Sequence, residues 1–437
     1  MPVRCVVLYF SFFADMENEK VRKKKPIIIG LVIGAVGIVL ISVFVLYQLQ
    51  LHRIFILRVF GTCPKHLTRD VLDRSLELGT QFLLHNQKPE GNFKYKYDWV
   101  HRKQYTNEDS VVRQTGAMWG LALIYNDQPQ PQVGVAVEKA MAFFERHSKT
   151  TADGNRYIVY PGRKIGSTGA IALCASTYVD YLRAAEHDLP EEKIIRYRKH
   201  LDEFIKFLVS ALNEDNLWYE FYKISDGKPY GDHTPYFDGE SLLALVKAAK
   251  YMGRSDLKEV ILDAADAGYR HNIVEALEKD PDSSTTKGYY QWSSMAFFEL
   301  ATSGWPDTEK YGDYVLDLAD WMIDVHKTLW RTRNTGYAYE GIIHAYELAV
   351  QRQDTKHAKK YAGVIDIGLE KLTSWQVGSP LANRFIRRYP TDDPMAIGGV
   401  QNHRRRAALR IDVTQHQMHA VILARRYVYK GQSPSQR

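Results

Sequence analysis

In several places the chain puts acids, bases or aromatic rings at the start of a segment with helical periodicity. Asp238 and Glu240 open the Ala- and Leu-rich run that ends near Lys250, and His233 and Tyr236 precede them. Tyr339 and Glu340 follow Gly336, and Arg410, Asp412 and His416 begin the last long segment. Tyr290 and Trp292 lie just after Gly288, and Arg113, next to Gln114, leads into a small apolar stretch, residues 115–122. Two carboxylates across a cleft act as acid and base on a glycosidic bond, with about 5–5.5 Å between them for retention or about 6.5–9.5 Å for inversion. Alternatively, a His or Tyr abstracts and returns a proton beside a uronate carboxylate that Arg113 or Arg410 neutralises. Trp and Tyr serve as stacking platforms in either case. The candidate catalytic residues are therefore Asp238, Glu240, Glu340, Asp412 and His416. The candidate substrate-binding residues are Arg113, His233, Tyr236, Tyr290, Trp292, Tyr339 and Arg410.

Each residue also has a plain structural use. Acids at a helix start cap it and meet the positive end of its dipole, which suffices for Asp238 and Glu240. Asp412 and Arg410 are spaced for a local ion pair. His416 falls four residues after Asp412, on the same helical face, where a histidine commonly serves as a hydrogen-bonded core residue. Arg113 would be costly to bury unpaired. His233 in its loop could be solvated, and Arg404 to Arg406 form either a solvated loop or a contact to anionic headgroups or polymer. HExxH, EF-hand, P-loop, Rossmann and GxSxG patterns are absent, so neither a metal site nor a cofactor is expected.

These residues need a scaffold. Apolar residues recur at helical spacing from Thr68 onward, and strand-type alternation is scarce. Twelve helices are expected, roughly 68–86, 109–125, 132–147, 166–186, 190–212, 237–252, 255–278, 288–302, 308–327, 336–352, 354–375 and 411–429. Short loops alternate with mostly longer ones such as 87–108, 149–165, 213–236 and 376–410, and loops this long are usually functional. Odd helices are charged, as in residues 191–200, and even ones are small and apolar, as in residues 166–175. Charged outside and small inside is the pattern of two concentric layers, repeating every 50 to 60 residues or so. The fold class expected is all-α, an (α/α)6 toroid of about six helical hairpins over residues 67–430. The starts of its inner helices would share one face.

A single N-terminal transmembrane helix is expected to precede the toroid. Residues 27–49 form an apolar run long enough for a hydrocarbon core of about 30 Å, and no small-residue cleavage site follows. Residues 1–26 include the basic tract Arg22 to Lys25, which places the N-terminus in the cytosol and the main domain outside. Met16 is a second candidate start. Residues 50–66 read as a linker and 431–437 as a disordered tail. The net charge of +7 is modest, and no basic stripe suggests nucleic acid. Three cysteines, Cys5, Cys63 and Cys174, have no metal spacing; Cys63 and Cys174 could pair in an oxidising compartment.

At the level of architecture the chain resembles the α/α-toroid superfamily of six-hairpin glycosidases, sugar epimerases, polysaccharide lyases and terpene-cyclase-like barrels. Residues Gln87 to Phe93 resemble the QxxxGxW/F motif of the squalene-cyclase type repeat, although DxDD, DDxxD and a Cys/Cys/His zinc set are missing. The resemblance implies a carbohydrate-type cleft. The expected function is a membrane-anchored enzyme outside the cytosol that hydrolyses, eliminates or epimerises a glycan or sugar-containing envelope polymer. The alternatives are a non-catalytic scaffold toroid at the membrane, or a cyclase-like enzyme on a lipid or peptide.

Overall fold

The computed structural model describes residues 34–37 and 51–431. Apart from a helical turn at 34–37, the expected span 27–49 lies outside the described residues, as do residues 1–26 and the tail from 432. The chain divides into two compact units, with the boundary after Phe60. In the first, Leu51–Phe60 is helical. Among the described residues no helix is long and apolar enough to cross a membrane.

The second unit is built from twelve long helices: α1 Arg69–Asn86, α2 Val111–Asp127, α3 Pro131–Arg146, α4 Thr168–Ala185, α5 Glu191–Ser210, α6 Pro235–Tyr251, α7 Lys258–Tyr269, α8 Ser284–Ala301, α9 Lys310–Asp320, α10 Gly336–Gln351, α11 Thr355–Thr373 and α12 Ile411–Tyr427. All twelve expected segments are present. Local chemistry starts them. Thr68, Ser283 and Asp354 cap α1, α8 and α11 with side-chain oxygens, and Pro131 and Pro235 occupy first-turn positions where a missing N–H costs nothing.

The even helices form the inner ring. Each packs on the next, and α12 returns to α2, so the ring closes. The odd helices lie outside it; α3, α5, α7, α9 and α11 each pack on the inner helix just before them in the chain, and α1 packs on α12. Close approach within the ring depends on small residues. A Cβ at Gly120 of α2 would lie 2.3 Å from Gln415 of α12, and one at Gly239 of α6 would lie 2.5 Å from Trp292 of α8. Nearly every residue of α4 is buried, which is why its composition is small and apolar. Cys174 of α4 and Cys63 are buried free thiols, so they do not pair.

Short antiparallel ribbons in the loops complete the mostly helical fold. Three strands, β1 Lys96–Asp98, β2 Lys103–Gln104 and β8 Ala408–Arg410, form a sheet ordered β2–β1–β8. Strands β3 Ser148–Thr150 and β4 Arg156–Ile158 pair, and β5 Ile165–Ser167, β6 Tyr219–Lys223 and β7 Pro229–His233 form the third sheet. Strand β8 runs directly into α12, β5 into α4, and β7 ends just ahead of α6.

The Gln87 to Phe93 motif fastens a loop. Gln87 Nε2 donates to the carbonyls of Gly91 and Ala136, while Gly91 has φ +116° and leaves no room for a Cβ against the Lys139 carbonyl at 2.2 Å. The outer helices α7 and α9 are continued by π turns, Arg270–Val274 and Trp321–Val325. The first of these carries Asn272 into the site region described next.

Candidate functional site

The six inner helices run in one direction, because their starts meet at one end and their last turns at the other. The starts of α2 and α12 join through Arg113 and Asp412, with Nε to Oδ2 at 3.3 Å. Arg410 Nε donates to Asp412 Oδ1 at 2.9 Å, and its Nη2 is held on Oδ2. Burial opposes ionisation of Asp412, but Arg410 and then Arg113 outweigh it and hold the carboxyl below its usual range. Arg113 also donates to the Tyr95 hydroxyl at 2.8 Å. Burial raises the pKa of that phenol. The β1–β8 pairing brings Tyr95 here, and Ile411 N donates to the Tyr95 carbonyl at 3.3 Å.

One turn further in, Glu340 of α10 faces two histidines of α12. Its Oε1 lies 3.3 Å from His416 Nδ1 and 3.1 Å from His419 Nδ1, while its buried Oε2 has no protein partner. Burial would neutralise Glu340, yet the two imidazoles keep its pKa low. Burial pulls the pKa of His416 down, but the charges of Glu340 and Asp412 prevail and raise it above 6.5. The His416 side chain retains 23% of its exposure, whereas Glu340 has none. Gln291 of α8 approaches His416 Nδ1 at 3.3 Å, and Trp292 packs edge-on against the imidazole with centroids 5.9 Å apart. Trp119 of α2 touches Trp292 and His419, at 5.5 and 5.3 Å, and closes the floor across the ring.

The structure thus brings Arg113, Trp292, Glu340, Arg410, Asp412 and His416 together. Asp238 has a different environment. It accepts hydrogen bonds from Trp218 N, Asn272 Nδ2 and His233 Nδ1 at 3.0, 2.9 and 2.8 Å, and so ties the loop before α6 to the π turn after α7. That hydrogen bond, above all, raises the pKa of His233. Glu240 is buried against Gly169 of α4, where its Oε2 finds no partner, and burial pushes its pKa well above the usual value. Tyr290 is fully buried and donates to the Ala338 carbonyl at 3.0 Å. Tyr339 is buried too, with its hydroxyl against Gly368 of the outer helix α11. Tyr236 is exposed, and Lys287 Nζ donates to its hydroxyl at 3.3 Å.

Two members of the cluster escaped sequence analysis, Tyr95 and Trp119. The aromatic alternation Phe93, Tyr95, Tyr97, Trp99 was the available signal for the first, because period two marks a strand. Trp119 sits in a run that reads as helix core. Among the described residues no group of three or more His, Cys, Asp or Glu side chains has metal-binding geometry. At the other end of the ring lies a cavity of about 320 Å³, lined among others by Asp180, Lys247, Glu299, His344 and His419. There Lys247 Nζ and Trp119 Nε1 both donate to Asp180 Oδ2, the latter at 2.8 Å.

No family model matches the chain, and a comparison with curated proteins finds no match. Solved structures do match in fold. A D-mannose isomerase superposes with a TM-score of 0.58 at 12% identity, covering 83% of this chain and 99% of that one. A sugar epimerase from a ruminal bacterium gives 0.57 at 13%, covering 82% and 98%. A family 76 α-mannanase from Bacteroides thetaiotaomicron gives 0.52 at 9%, covering 82% and 96%. The chain therefore has the α/α-toroid fold of the six-hairpin glycosidase-like enzymes.

Proposed function

We propose that this protein is a carbohydrate-active enzyme that moves a proton on a sugar, in the manner of an epimerase or isomerase, with His416 as the acid–base group. The observation that carries this reading is the His416–Glu340 contact. A base whose pKa the charges of Glu340 and Asp412 raise is partly open to the face where the inner helices begin, and a buried carboxylate fixes its Nδ1 side. This leaves Nε2 to take a proton from a carbon next to a carbonyl. Arg113 and Arg410 flank the same face and supply donors for a sugar or enediolate oxygen, and the Tyr95 hydroxyl beside Arg113 is a second proton-bearing group. Trp292 provides an apolar wall. The superposition on a sugar epimerase and a D-mannose isomerase supports this class.

Hydrolysis is the second reading, and Glu240 favours it, since burial raises the pKa of that carboxyl, the direction a general acid needs. Its near-complete burial against Gly169 weighs against direct contact with a glycosidic oxygen. The test is incubation of reducing sugars and uronates in deuterium oxide. Deuterium incorporation at the carbon beside the carbonyl, lost in His416→Gln, is expected; release of reducing ends without exchange would replace this reading with hydrolysis.

The basic tract Arg22 to Lys25 followed by the apolar run 27–49 supports a membrane-anchored protein whose toroid acts on a glycan outside the cytosol. Protease protection of the toroid in intact vesicles checks this, and cleavage from the cytosolic side would refute it.

A further inference from the structure

The loop between α11 and α12 and the loop before α10 gather an unusual number of arginines on the face that carries the site. Arg384, Arg387 and Arg388 lie on a short helix, residues Arg384–Arg388, and Arg404, Arg405 and Arg406 lie on the loop before β8. Arg333 lies just ahead of α10. All seven are exposed, and among the described residues none has a carboxylate within ion-pairing distance. Among the described residues most of the other arginines of the toroid do have one, so guanidinium groups without a counter-charge are concentrated in this patch.

The seven form one surface because Gln401 holds them together. Its Oε1 accepts from Asn383, the residue that caps the 384–388 helix, at 2.7 Å, and its Nε2 donates to the Arg406 carbonyl at 2.8 Å. Asn334 Nδ2 reaches the Gln401 carbonyl, and Arg333 pairs through its backbone with His403. Neighbouring groups feel the accumulated charge. His403 has its pKa lowered by burial and then by Arg406, Arg404, Arg405 and Arg333, and Lys371 is brought down to about 8 by burial and Arg404. Like charges held this close repel, and a folded protein gains nothing from that arrangement without a counter-charge.

The arginines border the starts of α10 and α12, the two helices that supply Glu340 and His416, and their loop runs through β8 into Arg410. We infer that this rim binds a polyanionic glycan, one carrying uronate carboxylates or sulfates, and feeds one residue of it toward His416. Guanidinium forks match carboxylate and sulfate oxygens in pairs, and an extended polymer reaches arginines on two loops at once. Continuity with Arg410 and the site favours a glycan over a lipid surface. The inference rests on the carbohydrate reading above but concerns binding alone.

The experiment uses the full chain and affinity electrophoresis through gels containing heparin, hyaluronan or dextran, with phosphatidylserine vesicles in a flotation arm. The variants are a triple Arg404→Gln, Arg405→Gln, Arg406→Gln, a triple Arg384→Gln, Arg387→Gln, Arg388→Gln, and His416→Gln. Retardation by heparin or hyaluronan that falls steeply with salt, drops at least about tenfold in each triple variant and persists in His416→Gln is expected. Circular dichroism of the triple variants confirms their fold. Equal retardation of wild type and both triples overturns the proposal, as does retardation by dextran alone. Flotation with the vesicles without retardation by either polyanion overturns it in favour of a membrane contact. Polyanion binding with no proton exchange on any sugar would leave the rim standing while the epimerase reading fell.

Discussion

Oε1 of Glu340 lies 3.3 Å from Nδ1 of His416, across the seam between α10 and α12. The carboxylate is sealed and the imidazole is not, so the charge behind the base is shielded from solvent and acts on it at close range. Removing that charge by Glu340→Gln lowers the pKa of His416, and the acid limb of the kcat/KM profile moves to lower pH. Removing the proton carrier itself, in His416→Gln, lowers the rate by about 10²–10⁴. A profile that stays in place would separate the two residues functionally.

The same pair sets a stability window. His416, raised above 6.5, contributes stability that is complete below 6.5 and is lost as pH rises through its folded value. Glu340 and Asp412 lie below 4.5 and 3.8, so their contributions are present above those values and fade as pH falls through the lowered ones. The buried His200 and His344, lowered to about 4, oppose this below 6.5, so the pair is read as the difference in melting temperature between wild type and Glu340→Gln, expected to be largest between 4.5 and 6.5. In Glu340→Gln the alkaline decline should flatten in a Tm scan against pH.

Glu240 discriminates between the two reaction classes. Burial raises its pKa and so favours the neutral form, which Glu240→Gln matches in shape. Turnover within about threefold of wild type is expected under the His416 mechanism, because a group outside the reacting shell removes little transition-state binding. A loss of about 10² or more in glycoside cleavage would make it a general acid.

At the far end of the ring, Asp180 and Lys247 are an ion pair with 1% and 6% side-chain exposure. Asp180→Ala leaves a buried ammonium without its partner and is expected to cost about 3–5 kcal/mol in urea unfolding. Adding Lys247→Met should restore most of that; no recovery would show that the Trp119 and Arg183 contacts to Asp180 matter more.

Gly368 tests the outward placement of Tyr339. A Cβ there would lie 1.7 Å from the Tyr339 hydroxyl. Although Gly→Ala in a helix interior ordinarily stabilises by about 1 kcal/mol, Gly368→Ala is expected to destabilise by about 1–3 kcal/mol. Tyr339→Phe in the same chain should relieve part of it, as read by chemical denaturation.

Periodicity and composition by themselves determined twelve helices and two layers. An inner helix such as α4 is packed on all sides and must be small and apolar, while α5 faces solvent and keeps its charges; both facts are local and visible in residue types. The positions of Arg113, Arg410 and Asp412 at helix starts were legible for the same reason. What only the tertiary structure decided is which way each side chain looks. Tyr290 shares α8 with Trp292, and Tyr339 lies at the equally aromatic start of α10, yet both tyrosines pack into the fold, whereas Trp292 faces His416. Asp238 and Glu240 stand two residues apart, about 200° around a helix, so one meets the π turn after α7 and the other the flank of α4. Glu340 and His416 are 76 residues apart, and their pairing depends on closure of the ring, a long-range event that no local pattern encodes.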